Sequence, residues 1–85
     1  MKVTVIGTGY VGLPTGVGLA ELGNNVICLD VDEKKINSLK EGKLTIFEDG
    51  LEPLFNKHIN SGRLKFSTSF EDSIPCADLV ILAVG

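Results

Sequence analysis
Apolar and polar positions along the 85-residue chain fall into two regimes: short β-branched runs and longer stretches of helical spacing. "KVTVIG" (Lys2 to Gly7) is β-branched and ends in glycine, which predicts a strand. From about Val11 to Leu22, Leu13, Val17, Ala20 and Leu22 fit one helical face. Pro14 does not break this helix, because it falls among the first four residues, whose N–H groups lack intrahelical partners. Gly23 and Asn24 stop it.

"NVICLDV" (Asn25 to Val31) is nearly all apolar and predicts a second strand covered on both faces. Asp32 then caps a helix from Glu33 to about Glu41, with Val31 and Ile36 spaced as a hydrophobic staple. Ile36 and Leu39 are expected to face the sheet. Gly42 to Gly50 reads as a loop. A further helix reaches about Asn60, with Leu51, Leu54, Phe55 and Ile59 at helical spacing and Pro53 in its first turn. "RLKFS" (Arg63 to Ser67) alternates and predicts a third, outer strand, followed by a short helix over Ser69 to Ile74 with Ser69 and Asp72 as a capping box. "ADLVILAVG" (Ala77 to Gly85) is the most apolar run and reads as a fully buried central strand.

Strands alternating with helices imply an α/β domain with a parallel sheet and right-handed crossovers. Composition agrees: 44% hydrophobic and 22% charged residues suit one ordinary globular domain. A net charge of −3, with basic residues scattered along the chain, argues against nucleic acid or an anionic membrane as partner. No apolar run approaches the ~18 residues of a membrane span, and no signal peptide is visible, so a cytoplasmic location is expected. Cys28 and Cys76 lack metal-ligand spacing and read as free thiols packed as small hydrophobes.

The chemistry concentrates after the first strand. Gly7, Gly9 and Gly12 form G-x-G-x-x-G between a strand and a helix. The first glycine permits a tight turn, the second admits a pyrophosphate to the backbone, and the third lets the helix pack close to the strand. Gly16 extends that bare face. Asp30 ends the second strand, eighteen residues beyond Gly12, where a carboxylate can accept hydrogen bonds from ribose hydroxyls. The expected fold is therefore part of a Rossmann domain, four parallel strands in the order 3-2-1-4 with helices on both faces.

Asp30 also selects among dinucleotides. A 2′-phosphate ~4 Å from its carboxylate would be opposed by about 4 kcal/mol per unit charge at an effective dielectric near 20. NAD is favoured over NADP, although Lys35, one turn into the next helix, could reach the adenosine end. Tyr10 either packs beside the cofactor or shields the loop. His58 reads as a surface residue rather than a general base, Asp32 as a cap rather than a ligand, and Glu48 and Asp49 as loop residues. No catalytic or metal-binding residue is expected in the chain. From the residues alone, another NAD enzyme with a similar first domain (a 3-hydroxyacyl-CoA or 6-phosphogluconate-type dehydrogenase) and a nucleotide-sensing module remain alternatives.

"GTGYVGLPTGVGLAELG" (Gly7 to Gly23), "LDVDEKKI" (Leu29 to Ile36), "LTIFEDGLEPL" (Leu44 to Leu54) and "SFEDSIPCADLVILAVG" (Ser69 to Gly85) resemble the start of the UDP-glucose 6-dehydrogenase family and its nucleotide-sugar relatives. The resemblance implies that Gly7, Thr8, Gly9, Tyr10, Val11 and Gly12 form the NAD loop, with Asp30 and Lys35 at the ribose and Val84 and Gly85 near the cofactor. Thr45 and Asp49 stand where the family often has proline. For a full-length protein it implies oxidation of a sugar C6 alcohol to a carboxylate with two NAD, through a cysteine that matches neither Cys28 nor Cys76. The chain is then expected to be the first part of a longer, oligomeric enzyme, silent by itself. With only strands 3-2-1-4 present, the fourth becomes an edge, and pairing through residues 78 to 84 is expected.

Overall fold
A computed structural model of the chain describes residues 1–44, 46 and 48–83. The elements run β1 (Lys2–Ile6), α1 (Gly12–Glu21), β2 (Asn25–Leu29), α2 (Glu33–Lys40), α3 (Leu51–Ser61), β3 (Leu64–Ser67), α4 (Phe70–Ser73) and β4 (Leu79–Leu82). All strand pairs are parallel, in the order β3-β2-β1-β4. The alternation of strand and helix thus produced the expected partial Rossmann sheet.

Register separates the two faces. Val3, Val5, Val26, Cys28, Leu64 and Phe66 share one face and meet Leu13, Val17 and Ala20 of α1, Ile36 and Leu39 of α2, and Phe55 of α3 in one core. Burying Leu13 or Val17 completely stabilises the fold by roughly 1.5–3 kcal/mol each. The opposite face carries Thr4, Ile6, Ile27 and Leu29 and is covered by the one-turn α4, whose Ser73 carbonyl accepts a 3.0 Å bond from the buried Thr4 hydroxyl. Three helices lie on one face and a single turn on the other.

Caps follow the local sequence. The Asp32 carboxylate accepts from the Lys35 N–H at 3.1 Å, and Ser69 Oγ accepts from the Asp72 N–H. Ser69 also donates its hydroxyl to Asp72 Oδ2, while its own N–H goes to Ser67 Oγ, so the expected capping box closes only partly. Gly50 and Gly62, both left-handed, bracket α3.

Five expectations need correction. Val31 is 81% exposed although Ile36 is buried, so no staple forms: Asp30 turns inward and Val31 outward as the chain leaves β2. Leu22 is exposed because α1 ends at Glu21 and Leu22 serves as its C-cap. Cys28 is buried as expected, but Cys76 lies exposed in the connector after α4. His58 is 2% exposed, because it continues the buried stripe of Leu51 and Phe55 where α3 meets α1. The run read as fully buried is largely exposed: β4 is the expected edge, pairs only with β1 among the described residues, and leaves Leu79, Val80 and Leu82 exposed while Ile81 packs on the core.

Candidate functional site: the glycine turn and the end of β2
The site lies at the C-terminal ends of the two central strands. Gly7 leaves β1 with φ +106°, a conformation open mainly to glycine, and its N–H donates to the Leu29 carbonyl at 2.7 Å. That bond ties the start of the loop to the end of β2. A Cβ on Gly12 would stand 1.8 Å from the Gly7 carbonyl oxygen, so only glycine lets α1 begin this close to β1. A Cβ on Gly9 would meet nothing within 4 Å. The loop backbone there faces open space, the opening a phosphate needs.

α1 begins without a side-chain cap and without an acidic residue in its first turn. Among the described residues, no carbonyl or side chain takes the N–H groups of Gly9, Tyr10 or Val11; the first N–H retained by the helix is that of Leu13, on the Gly9 carbonyl at 3.1 Å. These free donors and the positive end of the ten-residue helix suit an anion. Tyr10, 81% exposed, and Val11 project outward, so Tyr10 does not shield the loop.

Opposite the loop stands Asp30. Its Oδ2 accepts from the Thr8 N–H at 3.1 Å and the Thr8 hydroxyl at 2.7 Å, and its Oδ1 accepts from the Asp32 N–H at 3.1 Å. Lys35 Nζ lies 4.0 Å from Oδ2. Partial burial pushes the Asp30 carboxyl up, but the Thr8 hydroxyl, the Asp32 and Thr8 amides and the Lys35 charge together hold it below its ordinary value. A stably ionised acceptor beside a set of free amides fits a dinucleotide: hydroxyl groups for the carboxylate, phosphates for the helix.

The other candidate residues separate from this cluster. Val84, Gly85 and Thr45 lie outside the described residues. Glu48 and Asp49 are exposed in the loop before α3. The buried His58 was missed by sequence reasoning as a core residue, and its position at i+7 from Leu51 was the available signal. A cavity of about 320 Å³ lies at the opposite end of the sheet, beneath α4, with Lys2, Arg63 and Asp72 among its lining. It shares no residue with the glycine turn. Among the described residues no cluster of side chains has a metal-ligating arrangement, and no helix is long and apolar enough to cross a membrane.

A parallel strand pair, a glycine turn, an uncapped helix and a carboxylate ending the second strand define a Rossmann-type dinucleotide-binding fold. Comparison with known proteins narrows the class. The chain belongs to the UDP-glucose/GDP-mannose dehydrogenase family: residues 1–85 match its NAD binding domain. It is 52% identical over its whole length to a UDP-glucose 6-dehydrogenase of Bacillus subtilis, of which it covers 19%, and 47% identical to that of Rhizobium meliloti, of which it covers 20%. Among solved structures, a ternary complex of GDP-mannose dehydrogenase from Pseudomonas aeruginosa superposes with a TM-score of 0.94 at 35% identity, over all of this chain and 20% of that one. A UDP-glucose dehydrogenase from Pyrobaculum islandicum gives 0.91 at 38%, over 99% of this chain and 19% of its own. The chain therefore spans about a fifth of the relatives it matches.

Proposed function
We propose that these residues hold NAD for a nucleotide-sugar 6-dehydrogenase. The loop from Gly7 to Gly12 takes the pyrophosphate through Gly7, Gly9, Tyr10, Val11 and Gly12, with Thr8 turned inward to Asp30, and Asp30 and Lys35 take the adenosine ribose. By the family resemblance, Val84 and Gly85 would also contact the cofactor. The observation that carries the proposal is the placement of an ionised Asp30 beside the open amides at the start of α1. When bound, NAD supplies a hydride acceptor. The chain's own part is to bind and orient it: Gly7 and Gly12 shape the backbone, the helix end balances phosphate charge, and Asp30 accepts from ribose hydroxyls while repelling a 2′-phosphate.

In the whole enzyme the substrate would be a nucleotide sugar, oxidised from the C6 alcohol to the carboxylate with two NAD. The nucleophile and substrate contacts would come from residues other than these 85, which alone would bind without turnover. The free thiols Cys28 and Cys76 suit a reducing, cytoplasmic compartment. Self-association through the β4 edge would follow from its exposed apolar side chains and its pairing on one side only.

Calorimetric titration with NAD, NADP and FAD, on the native protein and on Asp30→Ala, tests the reading. NAD should bind in preference, and the variant should lose discrimination between NAD and NADP. Unchanged discrimination would remove Asp30 from the site.

A further inference from the structure
Thr8 stands out among the loop residues because its side chain is buried where a cofactor contact would have to be open: it is 1% exposed, against 81% for Tyr10. Its hydroxyl proton is committed to Asp30 Oδ2 at 2.7 Å, and its N–H reaches the same oxygen at 3.1 Å. A carboxylate oxygen has two lone-pair directions, and one residue, 22 positions away in the chain, uses both. The Asp32 N–H takes one direction on Oδ1, which leaves one acceptor direction on Oδ1 for a ligand.

We propose that Thr8 is a positioning residue that presets the Asp30 carboxylate and thereby determines preference for a 2′-hydroxyl over a 2′-phosphate. Thr8 acts on the cofactor through Asp30 rather than through a hydroxyl contact of its own. The inference rests on the reading of Asp30 as the ribose-binding residue.

An aspartate side chain has several staggered rotamers, and its terminal torsion is broad. Two donors from Thr8 and one from Asp32 hold a single orientation before any ligand arrives, so the ordering cost of binding is reduced. Lys35 is the cation facing the carboxylate, 4.0 Å from Oδ2; the Asp32 carboxylate is occupied as the cap of α2. Without the Thr8 hydroxyl, Oδ2 regains a free direction and Lys35 becomes the stronger partner, drawing the carboxylate away from the ribose. The same loss lets the Asp30 carboxyl rise toward its ordinary value, since the Thr8 hydroxyl is the largest influence holding it down.

Thr8→Val keeps the β-branched shape and removes the donor, and Thr8→Ser keeps the donor and removes the methyl group. Both are compared with the native full chain by calorimetric titration with NAD and NADP, with thermal melts to establish folding. Loss of one charge-assisted hydrogen bond is expected to weaken NAD binding about tenfold in Thr8→Val. NADP binding should change less, so the preference narrows, while Thr8→Ser keeps the native preference. The acid side of the NAD-binding profile should also move to higher pH in Thr8→Val alone. A native preference in Thr8→Val, or equal losses in the valine and serine variants, overturns the proposal. If Thr8→Val does not fold, Thr8→Ser decides: native preference with an unmoved acid limb supports the proposal, and its loss overturns it. If the native chain binds NAD selectively and Asp30→Ala erases that selectivity while Thr8→Val does not, only the role of Thr8 falls. If the native chain does not discriminate NAD from NADP, the reading of Asp30 falls with it.

Discussion

A Cβ on Gly16 would stand 2.6 Å from the sulfur of Cys28, so α1 rests on β2 with no room for a side chain of its own at that point. The glycine turn fixes where α1 starts, and this contact fixes how closely it lies along the sheet. Gly16→Ala should therefore destabilise the domain by about 1–3 kcal/mol, the ordinary cost of overpacking a core. Cys28→Ala removes the opposing sulfur, and the double variant should be more stable than the sum of the two single losses by about 1 kcal/mol. Denaturant unfolding of the four proteins measures this. Strictly additive losses would mean that the helix is free to lift away.

The two thiols should differ sharply in reactivity. Burial pushes the Cys28 thiol up to about 12 from an ordinary 9.0, so it stays protonated, whereas Cys76 is exposed. One equivalent of a thiol reagent should react at Cys76 in the native protein, and a second only on unfolding. Because the folded value lies above the unfolded one, this contribution to stability is complete below pH 9.0 and is lost as pH rises toward 12. Cys28→Ala should flatten that alkaline decline in a series of melts.

His58 is buried against Glu21, with Nε2 3.5 Å from Oε1, yet neither ring nitrogen makes a hydrogen bond among the described residues. Glu21 is engaged instead by the Lys57 ammonium at 2.8 Å, whose hydrogen bond holds the Glu21 carboxyl below its ordinary value. A buried polar group without a partner costs roughly 1–3 kcal/mol. His58→Leu, similar in bulk, should raise stability by about 1 kcal/mol, seen as a higher midpoint in denaturant. A loss of that size would reveal a hydrogen bond that the geometry does not contain.

The exposed side chains of β4 predict concentration-dependent association. Leu82 is 73% exposed, on a strand with one paired side among the described residues. Light scattering across a concentration series should show growth in mass, and Leu82→Lys should suppress it by placing a charge on the edge. A clean monomer at high concentration would remove the edge as an association surface.

The order of elements and the glycine turn were legible because each depends on residues close in sequence. "VIGTGYVG" announces a turn that only glycine can make and a helix that starts beside a strand. The order β3-β2-β1-β4 followed from the doubly wound pattern that the glycine turn and Asp30 signal rather than from any residue of the strands themselves. Asp30 was found by its place at the end of a strand. His58 was misread because its neighbours in sequence, Asn56, Lys57 and Asn60, are polar, and the face of α3 that meets α1 is set by contacts with α1 and β3. Val31 and Leu22 were misplaced for the same reason: apolar character does not say which way a residue points once its element has ended.

By itself the sequence determined a β-α-β unit, a loop open to phosphate and a carboxylate to follow it, because turn geometry, helix starts and strand ends are local properties. Only the tertiary structure decided what that carboxylate is bonded to. Thr8 and Asp30 meet because parallel pairing of β1 with β2 brings their C-terminal ends together, and no spacing in the chain specifies a hydrogen bond across 22 residues.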